Sequence, residues 1–272
     1  MHQFELRPQF SQKVQHEIGE YITRAEIDAA LASFAQMVRT DRIHITAELA
    51  NNPLSVVFTI LDRLGVCRRL RQQPPYPASV MPYLDDPLVS YLYLTCFDRL
   101  GQPANWLDFG TWLESSDCKD ERDTILQEGS QAACLNESIK IAYRRYTALY
   151  GLRSSFFRFL REILPRDVRG ELLNSIERSI TTNAPKLEGR EATDKEKEEY
   201  LLDRRNVFTH KAGFTPPPGE WFGGGRASPV QEHFEHYWTS TRTHNWPNIL
   251  EKAVHVGLSS YLRAQPDGRR AG

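Results

Sequence analysis

The chain has 272 residues, of which 40% are hydrophobic and 25% are charged, so it can bury a sizeable core without disulfide bonds. Its formal net charge is −1 at pH 7, so overall charge gives no argument for nucleic-acid binding, and any basic surface must be local. No segment approaches the roughly 18 apolar residues of a membrane span, and the first residues lack the basic and apolar regions of a signal peptide. We therefore expect a cytoplasmic protein that does not contact the membrane.

The first 80 residues predict a helical segment separated from the rest of the chain. Residues 1–22 alternate weakly in hydropathy, which favours extended backbone. Thr23 is a good N-cap for a following helix, and Pro53 is suited to the first turn of another. Three prolines then favour a linker near residues 72–84. The sequence leaves the role of the segment 1–80 open.

The region 85–263 is strongly helical in pattern, with only a thin strand signal. Apolar residues recur at helical spacing between breaks at glycine and proline. One helix is predicted from Pro165 to about Ile180, followed by a loop at 183–193. The glycine- and proline-rich stretch 213–225 predicts a second loop, and the tail 264–272 predicts disorder. The predicted fold class is therefore mainly α.

Four cysteines lie at spacings that match no zinc-binding pattern. The chain contains no Cys-x-x-Cys pair. We expect all four to be reduced thiols packed in the core of an intracellular protein. They are Cys67, Cys96, Cys118 and Cys134.

A charged helix near residue 200 carries the most informative polar residues. Thr193 and Glu196 have the spacing of a capping box, which predicts that the helix begins there. Asp203, Asn206 and His210 are separated by steps of three and four, so they share one face. Leu201 lies on an apolar stripe that we expect to face the core. The helix therefore predicts a polar site on a rigid element.

The polar residues of this helix suit phosphodiester cleavage. Arg205 carries a planar cation that can bind a phosphate group, and His210 can exchange protons near neutral pH. Together they could supply a base for a 2′-hydroxyl and a cation for the phosphate charge. A purely structural interpretation stays open, in which Asn206 and His210 cap nearby backbone groups and Arg205 is a solvated helix charge.

The segment Arg205-Asn206-Val207-Phe208-Thr209-His210 is similar to the Arg-x(4–6)-His motif of the HEPN superfamily, which is often Arg-Asn-x-x-x-His. Residues 200–213 resemble the motif helix of that family ending in a loop. Residues 90–100 resemble the first helix of such domains. The resemblance covers roughly residues 85–263 and predicts a HEPN-like helical bundle with an additional N-terminal helical segment.

The resemblance implies a homodimer in which two motif copies meet in a shared cleft. Many members of the family are metal-independent endoribonucleases of toxin–antitoxin, phage-defence or RNA-processing systems, and they need no cofactor. Arg205 would then hold the scissile phosphate, His210 would transfer a proton, and Asn206 would orient His210 or contact RNA. An antitoxin or other regulatory protein would be a further partner. Other members of the family are non-catalytic RNA-binding or protein-interaction modules, and that alternative stays open.

A basic and aromatic stretch at residues 140–170 also favours RNA as a partner. It contains eight basic residues against Glu162 and Asp167, with six aromatic residues interleaved. Basic groups can follow phosphates, and aromatic rings can stack on bases. Alternatively, the aromatic residues belong to the core and the arginines form a solvated face. The predicted RNA contacts, including two beside the motif, are Arg144, Arg145, Arg153, Arg158, Arg204 and Lys211.

A histidine-rich segment offers a third interpretation, a metal-dependent hydrolase. It contains His233, Glu235 and His236, with His244 further on. The spacing is one residue short of the His-x-x-Glu-His pattern of zinc peptidases, and no third ligand follows from the sequence. We therefore predict no bound metal.

Overall fold

The protein is described from a computed structural model, which covers residues 8–40, 53–72, 87–103, 106–116, 118–129, 134–182, 189–211, 220–222, 236–242 and 246–264. The helices are α1 (Pro8–Ile18), α2 (Arg24–Thr40), α3 (Pro53–Gln72), α4 (Pro87–Leu100), α5 (Phe109–Glu114), α6 (Lys119–Gly129), α7 (Leu135–Tyr150), α8 (Leu152–Arg158), a π-helix (Phe159–Ile163), α9 (Arg166–Asn174), α10 (Asp194–Lys211) and α11 (Trp246–Ala264). The strands are β1 (Ile176–Thr182), β2 (Gly189–Glu191), β3 (Glu220–Phe222) and β4 (His236–Arg242).

The chain is mainly helical, as the spacing of its apolar residues predicts. The expectation of extended backbone at residues 1–22 is wrong for α1, because Val14 and Ile18, four residues apart, are both fully buried on one helical face. None of the described helices combines the length and apolar character needed to cross a bilayer.

Contacts divide the chain into two compact units that are each discontinuous in sequence. The predicted linker at 72–84 lies almost entirely outside the described residues, and so does the predicted tail. The division into 1–80, 85–263 and 264–272 therefore stays a prediction. The first unit comprises Met1–Asp62, Phe97–Ile163 and Gly257–Gly272, and the second comprises Arg63–Cys96 and Leu164–Val256.

Stacked aromatic rings form the centre of the first unit. The ring centroids of Phe97 and Phe159 are 4.4 Å apart, and those of Phe97 and Phe156 are 5.6 Å apart. All three side chains are completely buried. Rings of this size contribute large apolar areas, so this cluster is a main source of stability for the unit. A second cluster in the same unit contains Trp112, Cys118, Ile125, Ala142, Tyr146 and Tyr150.

Gly101 lets two backbone segments of the first unit approach closely. A Cβ atom at this position would overlap the carbonyl oxygen of Ser155 and lie 2.9 Å from the backbone nitrogen of Phe159. The carbonyl oxygen of Gly101 also accepts a hydrogen bond from Arg158 Nη1 at 2.9 Å. Glycine is needed here because any side chain would push the end of α4 away from α8.

The second unit contains a four-stranded sheet with the order β2-β1-β4-β3. Strand β1 is antiparallel to both β2 and β4, and β3 is parallel to β4. The registers pair Ser179 with Glu191 and Ile180 with Trp238. The predicted helix from Pro165 to Ile180 is therefore wrong beyond Asn174. Residues after it are rich in isoleucine and threonine, which favour strands once a partner strand is present.

A polar cluster joins three helices of the second unit. Arg71 Nη1 lies 2.5 Å from Glu251 Oε2 and 3.4 Å from the hydroxyl of Tyr93, and Arg71 also donates to Asn248. Burial raises the pKa of Tyr93 above its ordinary range. Because the guanidinium is about one-third exposed and Glu251 less so, the ion pair links α3 to α11 at the edge of the core.

The cysteines only partly follow the expectation of four core thiols. Cys67, Cys96 and Cys118 are buried, and all four residues are present as free thiols. Cys134 is exposed, because it is the N-cap residue of α7. The prediction of a buried thiol is therefore wrong at that position.

We expect opposite effects from two glycine substitutions. Gly101→Ala should lower the free energy of unfolding by about 1–3 kcal/mol, because the new Cβ meets rigid backbone. Gly65→Ala, within α3 and with open space around its Cβ, should raise it by about 1 kcal/mol through helix propensity. Urea unfolding of both variants measures the difference, and equal effects would contradict the close approach at Gly101.

Candidate functional site

The motif helix α10 begins with the predicted capping box. The backbone N–H of Thr193 donates to Glu196 Oε2 at 2.8 Å, and the backbone N–H of Glu196 donates to the Thr193 hydroxyl at 3.4 Å. Arg190 binds the same carboxylate through two nitrogens, at 2.8 and 2.7 Å. These bonds satisfy donors that a helix start otherwise leaves exposed, so the beginning of α10 is firmly defined.

A buried carboxylate fixes α10 against α9. Glu198 is 1% exposed, and its Oε1 accepts hydrogen bonds from Arg169 Nε at 3.0 Å and Nη2 at 2.9 Å. Arg169 Nη1 also lies 3.4 Å from the exposed Asp194 carboxylate. A charge taken out of water is tolerated only when it is paired and hydrogen-bonded, so this pair sets how α10 lies on α9.

The apolar side of α10 packs as predicted. Tyr200, Leu201 and Leu202 are all buried, with exposures of 2% or less. Asp203, next along the helix, is exposed. The change from buried to exposed between neighbouring positions defines which face of α10 can meet a ligand.

Arg205 contacts two of its neighbours on the same helix. Its Nη1 donates to Asn206 Oδ1 at 3.3 Å and to the Thr209 hydroxyl at 3.4 Å. The Thr209 hydroxyl in turn donates to the Arg205 carbonyl oxygen at 3.2 Å. Arg205 and Asn206 are half-buried, and Thr209 is exposed. The guanidinium is thus oriented by one amide oxygen and one hydroxyl before any ligand arrives.

The remaining motif residues are described only through the backbone. Helix α10 continues to Lys211, so His210 stands four residues after Asn206 and on the same face. Nothing is described of the side chains of His210 and Lys211. Arg204 is half-buried beside the motif. The catalytic role of His210 and the RNA contacts at Arg204 and Lys211 stay predictions.

The basic side chains of the stretch 140–170 lie in several different environments. Arg144 is exposed, and Arg145 pairs with Glu128 at 2.8 Å. Arg158 donates to the carbonyl oxygens of Gly101 and Leu149, at 2.9 and 3.1 Å. Arg158 therefore joins α8 to the C-terminal ends of α4 and α7.

Most aromatic rings of the stretch belong to the core. Tyr143 is 53% exposed, and its ring meets that of Phe109 edge-on, with centroids 5.3 Å apart. The other five aromatic side chains are buried, which agrees with the structural alternative for the aromatic half of the pattern. They are Tyr146, Tyr150, Phe156, Phe157 and Phe159.

Two residues of this site escape prediction from the sequence. Thr209 is an Arg205 partner that the four-residue spacing could have indicated, because side chains at i and i+4 meet on a helix. Glu198 lies in a run of charged residues, where nothing marks one carboxylate as buried. Its partner Arg169 is 29 residues away in sequence, and only the packing of α9 on α10 brings the two together.

No metal-binding constellation is found within the described part of the chain, where no three His, Cys, Asp or Glu side chains cluster. The histidine-rich segment is described only through its last residue, His236, which begins strand β4. His233, Glu235 and His244 lie outside the described residues.

No protein-family model, curated protein or solved structure matches this chain.

We expect the Arg169–Glu198 pair to be far more important for stability than an exposed ion pair. Arg169→Ala removes both hydrogen bonds to a buried carboxylate and should lower the free energy of unfolding by about 3 kcal/mol. Arg24→Ala, which removes an exposed pair with Asp28 at 2.9 Å, should cost less than about 0.5 kcal/mol. Urea unfolding compares them; equal losses would mean that Glu198 does not depend on Arg169.

The capping box should make stability depend on pH. Hydrogen bonds from Arg190 and then from Thr193 lower the pKa of Glu196 from its ordinary value of 4.5 to about 2. The ionised carboxylate therefore stabilises the folded state fully above pH 4.5, and this contribution is lost as the pH falls towards about 2. Unfolding of Glu196→Gln, which keeps the shape but not the charge, should differ from the parent above pH 4.5 and converge with it at low pH. A difference independent of pH would contradict the assignment.

Proposed function

We propose that this protein is an endoribonuclease of the HEPN type, with Arg205, Asn206 and His210 as its catalytic residues. The observation that supports it best is the pair of contacts that the half-buried Arg205 makes with Asn206 and Thr209 along α10. A cation held in place on a rigid helix is suited to stabilise charge that develops on a phosphate group.

The support comes from how the helix is anchored as well as from the motif. The capping box at Thr193 defines where α10 begins, and the Arg169–Glu198 pair defines how it lies on α9. Glu198 and Arg205 are seven residues apart, or about two turns, so the anchor lies on nearly the same side of the helix as the cation. A site on such an element can keep its geometry while substrate binds.

The proposed reaction needs only groups of the protein, the RNA and solvent water. His210 accepts the proton of a 2′-hydroxyl, and the resulting oxygen attacks the adjacent phosphorus atom. The bond from phosphorus to the 5′-oxygen breaks, and that oxygen takes up a proton from solvent, into which His210 then releases the proton that it accepted. The products are a 2′,3′-cyclic phosphate and a 5′-hydroxyl. Arg205 stabilises the extra negative charge on the phosphate oxygens in the transition state.

The proposal includes partners that follow from the same resemblance. RNA is the substrate, with Arg144, Arg145, Arg153, Arg158, Arg204 and Lys211 as its proposed contacts. A homodimer would bring two motif copies into one cleft. A toxin or defence role, with an antitoxin or other regulatory protein as partner, would fit an activity that must be restrained in the cell.

Cleavage of mixed RNA in the presence of EDTA tests the proposal. The parent should release products ending in a cyclic phosphate. Arg205→Ala should lower the rate by about 10²–10³-fold, and His210→Ala by about 10²–10⁴-fold. Lys195→Ala is the matched control, because Lys195 is an exposed basic residue of the same helix, ten residues before Arg205.

The outcomes separate the two main interpretations. No cleavage by the parent, or cleavage that Arg205→Ala and His210→Ala leave unchanged, would overturn the endoribonuclease. RNA binding that survives His210→Ala without any product would identify a non-catalytic RNA-binding module instead. Light scattering on the same samples reports whether the protein is a dimer.

A further inference from the structure

The first unit contains a pocket of about 270 Å³, bordered by the end of α4, the π-helix and the last turns of α11. Much of its wall is apolar and comes from Leu100, Pro103, Ile163 and Ala264. The volume is slightly below the range of roughly 300–1,000 Å³ that is typical of ligand pockets. The pocket is therefore suited to a small organic molecule.

A close contact between α11 and the π-helix lies beside the pocket. A Cβ atom at Gly257 would overlap the ring of Phe159, so only glycine lets the two elements approach this closely. Gly257, Tyr261 and Ala264 are separated by steps of four and three, so they share one face of α11. The face that touches the π-helix at Gly257 therefore borders the pocket over the next two turns.

Three side chains with oxygen atoms line the pocket, namely Glu162, Ser260 and Tyr261. Within the described part of the chain, no hydrogen bond or ion pair engages any of the three. Tyr261 is only 7% exposed, and its ring packs against that of Phe34, with centroids 6.2 Å apart. Burial raises the pKa of Tyr261 to about 12, although the charge of Arg99 opposes the rise. The hydroxyl therefore stays protonated and can donate or accept a hydrogen bond.

The charge of the pocket favours a cation. Among the described residues that line it, Glu162 is the only one with a charged side chain, and it is exposed to solvent. Two helices also end there, since Leu100 is the last residue of α4 and Ala264 is the last residue of α11. The C-terminal end of a helix carries a partial negative charge, which adds to that of the carboxylate.

The arginines in the last turns of these two helices do not line the pocket. Arg99 donates to Gln102 and, at 3.4 Å, to the hydroxyl of Ser55. Arg263 pairs with Glu26 at 3.0 Å. Both cations are thus bound by other groups of the protein, and a ligand in the pocket meets the carboxylate of Glu162.

We propose that this pocket binds a small primary ammonium compound with an apolar body, whose ammonium group lies at Glu162. An ammonium group has three N–H donors, which matches the oxygen atoms of Glu162, Ser260 and Tyr261. Its hydrogen bond to a carboxylate is assisted by charge and is therefore strong. The apolar body would lie against the aliphatic part of the wall. The site belongs to the first unit and makes no use of the Arg205–His210 motif, so it goes beyond the proposed function.

Isothermal titration calorimetry of the full chain with three ligands of similar shape tests the site. At neutral pH, 2-phenylethylamine is a cation, 2-phenylethanol is neutral and phenylacetate is an anion. The amine should bind about tenfold more tightly than the alcohol, because only the cation forms a charge-assisted bond with Glu162. Phenylacetate should bind most weakly, since its charge has the same sign as that of the carboxylate.

Conservative variants identify the groups that hold the ligand. Glu162→Gln should weaken binding of the amine about tenfold and change binding of the alcohol by less than about twofold. Tyr261→Phe should weaken binding of both ligands roughly fivefold, because both lose a hydrogen bond. Glu114→Gln is the matched control: Glu114 is an exposed carboxylate of the same unit, at the end of α5, and does not line the pocket. Circular dichroism of each variant reports whether the helices are kept.

The results decide the proposal independently of catalysis. It would be overturned by a parent that does not bind the amine at millimolar concentrations, by phenylacetate binding as tightly as the amine, or by unchanged amine affinity in Glu162→Gln. An equal loss in Glu114→Gln would also overturn it, because the effect of charge would then be general. Amine binding that depends on Glu162 in a protein that never cleaves RNA would keep this site and refute the endoribonuclease. Cleavage of RNA by a protein that does not bind the amine would do the reverse.

Discussion

The buried carboxylate of Glu198 is the constraint on which the geometry of the motif helix depends. Because a lone charge in the interior is so unfavourable, Glu198 holds Arg169 of α9 next to α10. The orientation of α10 about its own axis follows from this, together with the buried residues Tyr200 to Leu202. The side of α10 that carries Asp203 is left exposed, and Arg205 and Asn206 are half-buried. The apolar residues of α10 define its buried face, and the ion pair adds a polar contact between α10 and α9.

The arginines of the 140–170 stretch show why a count of charges is a weak guide to function. Identical side chains serve different purposes there: Arg145 pairs with a carboxylate, Arg158 binds carbonyl oxygens, and Arg153 and Arg161 flank a ring. The interleaved aromatic residues are mostly core, because helical spacing directs them inward. The basic residues of this pattern therefore lie largely on the outer faces of the helices, and the aromatic residues lie largely on the buried faces of the same helices. Arg153 and Arg161 both contact the ring of Phe157.

Short-range patterns in the sequence correctly predict those features of the fold that depend on interactions between near neighbours in the chain. The N-cap at Thr23, the capping box at Thr193, the helix start at Pro53 and the buried Leu201 all depend on residues within a few positions of each other. The sequence predicts helix at β1, because the strand forms only with β4, some 60 residues later, in the register that pairs Ile180 with Trp238. The pairing of Glu198 with Arg169 is likewise absent from the sequence pattern, since nothing distinguishes a buried charged residue from its exposed neighbours in a charged helix.

The sequence by itself determined that the chain is mainly helical, where α10 begins, and which residues of the Arg205–His210 motif share a face. These follow from residue spacing and hydrogen bonds between near neighbours. Only the tertiary structure decided which carboxylate of α10 is buried and which arginine of α9 binds it. Those features require elements distant in the chain, or side-chain conformations selected by packing, and a linear pattern contains neither.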